Sequence, residues 1–376
     1  MGIARALSLP VRVWRRRLLG RPRVDWPLTG ALLTVAGIGL AVLFSASGGD
    51  SATVMRQGAR LGVGLVAFWV FSRIPVQFLR MWSPLLYGVG CTLLLVVDAY
   101  GSISQGAQRW LDLGLFSFQP SEILKLSLPM MVAWYLHYRP LPPGWVATLT
   151  TIALIAFPCA LIVLQPDLGT AVLVAASGVF ALFLAGLSWR VIVTLLASMG
   201  AAAPLVWSLL HDYQQERILT FLSPESDPLG SGWNIIQSMI AVGSGGLFGK
   251  GWLNGTQSHL EFLPERSTDF ILAVLAEEFG LMGVLTLLAL YLFIIGRGLW
   301  IASRARDTYS RLLAGALSLT FSVYVVVNMG MVSGLLPVVG VPLPLVSYGG
   351  TSVVTLLAGF GILTSIGADR SMLKSP

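Results

Sequence analysis

Long apolar runs separated by short polar stretches dominate this chain. Most of the runs approach the roughly 20 residues that an α-helix needs to cross the hydrocarbon core of a bilayer. The pattern therefore predicts an all-α, polytopic membrane protein with about ten transmembrane helices. We place the predicted spans at 27–46, 54–72, 81–98, 121–138, 146–164, 168–187, 190–210, 269–296, 310–332 and 346–367.

Two stretches depart from this simple alternation. Residues 211–268 form one loop that is far longer than ordinary connections, and loops of that length are usually functional. Within it, residues 231–249 are apolar and glycine-rich, so we expect them to lie on or dip into the membrane interface. Residues 312–368 carry no charge, but prolines interrupt the run, which indicates two spans joined by a structured outer turn.

The composition agrees with a membrane protein and argues against a soluble one. Hydrophobic residues make up 55% of the chain and charged residues only 11%, whereas a soluble domain carries roughly 25% charged residues. The formal net charge of +7 suggests contact with a membrane surface, and we expect no nucleic-acid partner. The two cysteines, Cys91 and Cys159, lie in separate apolar segments without metal-ligand spacing.

The distribution of arginine predicts how the chain crosses the membrane. Residues 1–24 hold seven arginines but no short apolar core with a cleavage site, so they indicate a cytoplasmic arm and not a signal peptide. Residues 25–376 are predicted to form a single transmembrane domain. Cations concentrate in the loops on the N-terminal side, so both termini are predicted to be cytoplasmic and the 211–268 loop extracytoplasmic. Arg56 and Arg60, near the outer end of the second span, depart from this rule.

Charged residues inside the spans are the first candidates for chemistry, because burying a charge in lipid costs several kcal/mol. Glu122 and Lys125 lie three positions apart in the fourth span, where they share a helix face and can pair. The alternative is a structural ion pair that holds helices together. Glu277 and Glu278 lie two turns inside the eighth span, so at least one of them must face protein, water or a cation.

Further candidates lie where loops meet the membrane. Asp269 opens the eighth span after Ser267 and Thr268, and a carboxylate there can take part in chemistry or simply cap the helix. Asp167 opens the sixth span and has the same two interpretations. Arg109, in a loop rich in glycine and glutamine, can bind an anion or extend its side chain to the interface.

Five sequence blocks, in this order along the chain, resemble the signature motifs of the SEDS family (shape, elongation, division and sporulation). They are RW at 109–110, FQPSE at 118–122 with Lys125, QPDLGT at 165–170, PERSTDF at 264–270 and LPLVSYGGTS at 343–352. The resemblance extends from the first span to the last. Within the family, PESDPLG at 224–230 and GKGW at 249–252 resemble the elongation branch more than the division branch.

The resemblance implies a peptidoglycan glycosyltransferase that polymerises lipid II into glycan strands at the outer face of the bacterial cytoplasmic membrane during cell elongation. It also implies partners, namely a class B penicillin-binding protein that cross-links the new strand and other membrane proteins of the elongation complex. The rival hypothesis from the residues is a lipid II flippase, in which the intramembrane charges line a path for the headgroup. A non-catalytic scaffold for wall enzymes is a weaker third hypothesis.

The resemblance also implies roles for particular residues. The family's catalytic aspartate corresponds to Asp269, and its functionally important cation and acid in the fourth span correspond to Lys125 and Glu122. We expect a set of charged and polar residues to bind the substrate around them: Arg109, Asp167, Lys250, Arg266 and Ser347.

The expected reaction accounts for this division of roles. Lipid II carries an α-linked sugar on a diphosphate and the polymer is β-1,4 linked, so one inverting displacement suffices. The acceptor hydroxyl needs a general base, for which Asp269 is the candidate, and the leaving diphosphate needs positive charge from Arg109 and Lys125. A divalent cation, Mg²⁺ or Mn²⁺, is the alternative source of that charge, with Asp269 or Glu122 as oxygen ligands. We expect Arg109, Lys125 and Asp269 to line one cavity that opens to the outer leaflet, with residues 231–249 as its mobile cover.

Overall fold

The computed structural model describes residues 24–104, 107–112, 117–165, 167–187, 231–256 and 265–369, together with isolated positions between 189 and 219. The arginine-rich arm at 1–23 and the motif at 224–230 lie outside the described residues, as does most of the predicted span at 190–210.

Ten helices hold most of the described residues. They are α1 (Trp26–Ala46), α2 (Ser51–Arg73), α3 (Val76–Tyr100), α4 (Ser121–His137), α5 (Trp145–Leu164), α6 (Leu168–Leu184), α7 (Ser231–Ser244), α8 (Ile271–Ser303), α9 (Thr308–Val332) and α10 (Thr351–Asp369). Each predicted span within the described ranges has a corresponding helix, although several ends differ by a few residues. Six of these helices are long and apolar enough to cross a membrane, which confirms a polytopic, helical membrane protein: α1, α3, α5, α8, α9 and α10.

Three short strands between α3 and α4 were not predicted. They are β1 (Ser102–Ser104), β2 (Ala107–Asp112) and β3 (Ser117–Phe118). The strands pair antiparallel in the order β1-β2-β3, with Ser102 opposite Trp110 and Leu111 opposite Phe118. This small sheet, and not a loop, carries Arg109 to the end of the bundle where α4 begins.

The centre of the bundle is α9, which packs against α4, α6, α8 and α10. On its far side α10 packs along α2, where glycine allows the two backbones to approach closely. A Cβ placed on Gly361 would lie 2.5 Å from the carbonyl oxygen of Phe68. Small residues at helix contacts are the usual means of close packing in a bilayer, where the hydrophobic effect gives no preference for helix–helix contact.

The two arginines that depart from the charge rule both have local partners. The guanidinium of Arg56 lies 3.8 Å from the carboxylate of Asp50, which caps α2. The guanidinium of Arg60 lies over the ring of Tyr348, 4.3 Å from its centroid. Specific contacts therefore accommodate both arginines in the first half of α2.

The predicted eighth span is not one regular helix. Gly280 in the middle of α8 has φ 65° and ψ −163°, which interrupts the helical hydrogen-bond ladder. The turn after α7 lies against this break and replaces the missing bonds. The amides of Lys250 and Gly251 donate to the carbonyl oxygens of Glu277 and Glu278, at 3.0 Å each.

Helix α7 and the turn after it are thus built into the bundle. The amides of Leu281 and Met282, beyond the break, donate to the carbonyl oxygens of Gly246 and Leu247 at 2.9 and 3.1 Å. The hydroxyl of Ser238 in α7 donates to the carbonyl oxygen of Val332 in α9 at 2.9 Å. The segment that we expected to lie in the interface as a cover is a helix and turn fixed to α8 and α9.

Candidate active site

Asp269 lies in the turn at 265–270 that leads into α8. Phe270, and not Asp269, is the N-cap residue of α8, and it makes no side-chain cap hydrogen bond. The half-buried side chain of Asp269 faces the segment that follows α9, because a Cβ placed on Gly340 would lie 3.7 Å from its Oδ2. Asp269 thus lies one residue before the N-cap position of α8, and its carboxylate faces the segment after α9.

Ser347, a predicted substrate-binding residue, lies behind this turn. Its side chain is buried, and its hydroxyl donates to the carbonyl oxygen of Thr268 at 2.6 Å while accepting from the amide of Leu343 at 2.8 Å. Through these hydrogen bonds Ser347 supports the turn. Its contact with substrate stays a prediction. Arg266, another predicted substrate-binding residue, is half-buried in the same turn.

Glu122 and Lys125 form the ion pair that their spacing indicates. Glu122 and Lys125 are 4% and 6% exposed, and Nζ of Lys125 donates to Oε1 of Glu122 at 2.6 Å. Oε2 of Glu122 is buried and has no hydrogen-bond partner among the described residues. The ammonium also lies 5.5 Å from the ring centroid of Tyr324 in α9. The ion pair thus leaves one carboxylate oxygen of Glu122 without a hydrogen-bond donor among the described residues.

A small groove with a cavity volume of about 30 Å³ begins at Lys125 and runs between α4, α9 and α10. Apart from Lys125 and a few hydroxyl groups its lining is apolar, and it includes Leu126, Phe321, Leu356 and Phe360. Neither Arg109 nor Asp269 lines it. The single cavity that we expected to hold all three residues stays a prediction.

Asp167 does cap α6, as one of its two interpretations predicted, but only one of its oxygens is used for that purpose. Oδ1 accepts from the amide of Thr170 at 3.1 Å. Oδ2 accepts from the side-chain amide of Gln119 at 3.1 Å and lies 3.8 Å from Nε of Arg109. Nε of Arg109 also donates to the carbonyl oxygen of Gln165 at 3.3 Å. The structure therefore brings Arg109 and Asp167 together.

The segment after α9 lies between this pair and the Asp269 turn. Gly169, in the first turn of α6, packs so closely on it that a Cβ would lie 2.3 Å from the carbonyl oxygen of Val339. The next residue of the same segment, Gly340, faces Asp269. Tyr324, which lies near Lys125, packs against Val341. Residues 339–341 thus pack against the residues around Asp167, Asp269 and Lys125.

Lys250 makes an ion pair that the sequence did not predict. Its Nζ lies 2.7 Å from Oε1 of Glu277 and donates to the hydroxyl of Thr256 at 2.8 Å. The same carboxylate oxygen accepts from the amide and hydroxyl of Thr256. Glu278 is bound by the hydroxyl of Ser45 at the end of α1. Both buried glutamates of α8 thus face protein groups, and the role of Lys250 in binding substrate stays a prediction.

Within the described ranges, no group of three or more His, Cys, Asp or Glu side chains is arranged to hold a metal ion. Glu122, one of the two expected ligands, is paired with Lys125. Mg²⁺ is commonly held by one or two carboxylates together with substrate phosphates, so a site completed by substrate remains compatible with Asp269.

Three neutral residues of the site were missed by sequence reasoning. Gln119 contacts Asp167, Tyr324 lies beside Lys125, and Asn328 donates to the backbone of Asp269. Charge singled out every candidate except Ser347, and none of these three residues carries a charge. Asn328 could have been found as an amide within the uncharged run at 312–368, where a buried polar side chain needs partners.

Comparisons with known proteins agree on one family. The family model for FtsW, RodA and SpoVE, described as "Cell cycle protein", matches residues 27–372. Among curated proteins, the chain is 55% identical to the peptidoglycan glycosyltransferase MrdB of Escherichia coli K12 over 344 residues, which are 91% of this chain and 93% of that protein. It is 37% identical to a probable peptidoglycan glycosyltransferase FtsW of Trichlorobacter lovleyi, covering 93% of this chain and 94% of that one.

Solved structures give the same result for the fold. A chain from a structure on the coordination of polymerization and crosslinking by a peptidoglycan synthase complex matches with a TM-score of 0.81 and 34% identity, covering 93% of this chain and 99% of that chain. The crystal structure of the rod shape determining protein RodA of Thermus thermophilus matches with a TM-score of 0.71 and 31% identity, covering 93% and 98%.

Proposed function

The chain belongs to the FtsW, RodA and SpoVE family, and on that premise we propose that it is a peptidoglycan glycosyltransferase of the elongation branch that polymerises lipid II. The observation that carries the proposal is 55% identity, over nine-tenths of the chain, to a protein with that activity in its name. Among the described residues, the motifs that carry Arg109, Asp167 and Asp269 lie at one end of the helix bundle, which is where a lipid-linked sugar would meet the protein.

We infer that Asp269 acts as the general base. The acceptor hydroxyl oxygen attacks the anomeric carbon of the donor, the bond from that carbon to the diphosphate oxygen breaks, and its electron pair leaves with the diphosphate. The proton of the hydroxyl passes to the carboxylate of Asp269. Its half-buried side chain lies in the turn before α8 and faces Gly340 beyond α9, which supports this role.

Positive charge near the diphosphate would come from Arg109 and Lys125. Each of these cations already faces a carboxylate, Asp167 and Glu122 respectively. Because both pairs are close to neutral, a bound diphosphate would bring negative charge that the protein does not balance. A divalent cation, Mg²⁺ or Mn²⁺, would supply that balance, and Asp269 would then be an oxygen ligand to it, which is the alternative to its role as the base.

This expectation is tested by chelation. Adding EDTA to purified protein should lower the rate of polymerisation, and Mg²⁺ or Mn²⁺ in excess should restore it. A rate that EDTA does not change would exclude the metal-ligand role and leave Asp269 as a general base acting without a cation.

We propose a class B penicillin-binding protein as the partner, together with other membrane proteins of the elongation complex. The structural match to a chain of a peptidoglycan synthase complex supports such an assembly. We also propose that the chain lies in the bacterial cytoplasmic membrane with both termini in the cytoplasm, because the loops on that side hold most of the cations.

The rival function, a lipid II flippase, makes a different prediction in detergent. A polymerase forms glycan strands from labelled lipid II without a bilayer, whereas a flippase has nothing to transport there. Purified protein incubated with labelled lipid II should therefore yield strands that separate by length on a gel. Unchanged lipid II, together with transport in vesicles, would favour the flippase.

A further inference from the structure

The turn that carries Asp269 is held by its backbone at three successive positions. The carbonyl oxygens of Ser267, Thr268 and Asp269 each accept one hydrogen bond from a different donor. The donors are the amide of Tyr348 at 2.9 Å, the hydroxyl of Ser347 at 2.6 Å and the side-chain amide of Asn328 at 2.9 Å.

Asn328 connects this turn to a second segment. It is completely buried in α9, and its Nδ2 donates both to the carbonyl oxygen of Asp269 and to that of Val341 at 2.8 Å. Val341 follows directly on Gly340, which faces the Asp269 carboxylate. One amide group therefore fixes the backbone on both sides of that carboxylate.

The chemistry of the asparagine side chain suits this place. Its amide offers two N–H donors from one nitrogen, which is what two facing carbonyl oxygens need. Leucine has a similar size but no donor, so it would leave both carbonyl groups without the hydrogen bond that Asn328 donates. Aspartate at position 328 would place carboxylate oxygens, which accept hydrogen bonds, against two carbonyl oxygens that also accept them.

We propose that Asn328 is a positioning residue, which holds the Asp269 turn so that its carboxylate meets the acceptor hydroxyl. The proposal rests on the proposed role of Asp269. Asn328 does not touch the reacting atoms but sets where the Asp269 backbone lies. Misplacing a catalytic group by about 1 Å can cost on the order of 100-fold in rate, so the loss of two hydrogen bonds at this turn has a large effect on turnover.

The test compares Asn328→Leu and Asn328→Asp with a matched control, Ser322→Ala, in the full-length purified protein. Ser322 lies on the same helix, and its hydroxyl donates only within that helix, to the carbonyl oxygen of Leu319. Both Asn328 variants should lower kcat for lipid II polymerisation by about tenfold or more while KM changes little, because they move the base and not the binding groups. The control should keep the wild-type rate.

A structural readout separates positioning from general destabilisation. Amide hydrogen exchange of the peptide containing 265–270 should become faster in Asn328→Leu and stay unchanged in Ser322→Ala. If Asn328→Leu does not fold, Ser347→Ala removes one donor to the same turn and should show the same exchange and kcat effects to a smaller degree. Unchanged kcat, or unchanged exchange at 265–270 in the folded variants, would overturn the proposal.

A double-mutant cycle distinguishes this proposal from the proposed function. If Asn328 acts through Asp269, then Asn328→Leu should add little to the loss caused by Asp269→Asn. Losses that multiply would remove the positioning role of Asn328 and leave Asp269 as the base. An Asp269→Asn variant as active as the wild type would instead remove the base itself.

Discussion

At the scale of single residues, charge in an apolar setting identified part of the site, and the remaining part is neutral. Glu122 and Lys125 were predicted as a pair from their spacing alone, and the structure confirms the pair. The partner of Lys250 could not be predicted, because Glu277 is distant in sequence and meets it only where α8 is broken. Asn328 was not predicted because it has no charge and because its two acceptors are backbone atoms.

The buried pair of Glu122 and Lys125 makes a prediction that separates function from structure. Changing Glu122→Gln and Lys125→Met together avoids an orphaned buried charge, so the protein should fold. We expect this double variant to be inactive in polymerisation, because the positive charge for the diphosphate is lost.

A second ion pair at the opposite end of the bundle is the matched control. Arg297 lies 2.9 Å from Asp25, and both side chains are largely buried. Asp25→Asn with Arg297→Met should leave polymerisation close to the wild-type rate. Full activity in the Glu122 and Lys125 double variant would assign that pair a purely structural role.

At the scale of elements, the apolar pattern predicted helices well and their interruptions poorly. The predicted span at 269–296 was continuous, whereas α8 is broken at Gly280 and its hydrogen bonds are completed by the turn at 245–251. A hydropathy pattern indicates which residues are kept from water. It does not indicate where the backbone of another segment packs into a break in a helix. The strands around Arg109 were missed for a related reason, since they are short and lie between two spans.

Glycine at position 280 is required by both conformation and space. Its φ is 65°, and a Cβ there would lie 2.4 Å from the amide nitrogen of Gly249. Gly280→Ala should therefore lower the thermal unfolding midpoint in detergent, by an amount equivalent to about 1–3 kcal/mol. Gly296→Ala in the same helix is the control, because a Cβ there meets nothing within 4 Å. Equal unfolding midpoints for the two variants would contradict the conclusion that the turn at 245–251 packs into the break at Gly280.

At the scale of the whole molecule, the predicted residues gather at one end of the described helices, where the segment at 339–341 packs against Gly169 and faces Asp269. Helices α4, α6 and α8 begin at the same end of the bundle, and they begin next to Glu122, Asp167 and Asp269 respectively. That end could be predicted from the number of spans and the cations in the loops. The distances between these three carboxylates could not be predicted from the sequence, because they depend on the irregular segment at 333–350 and on the turn that packs into the break in α8.

In our proposal this chain polymerises lipid II, and Asp269 takes the proton of the acceptor hydroxyl. The most direct test compares the purified wild-type protein with Asp269→Asn, in detergent, by the rate at which labelled lipid II becomes glycan strands. Asparagine keeps the size of the side chain and removes its charge, and a general base contributes on the order of 100- to 10,000-fold. We predict strands from the wild type and a loss of at least about 100-fold in a folded Asp269→Asn protein. A variant that forms strands at nearly the wild-type rate would contradict the account.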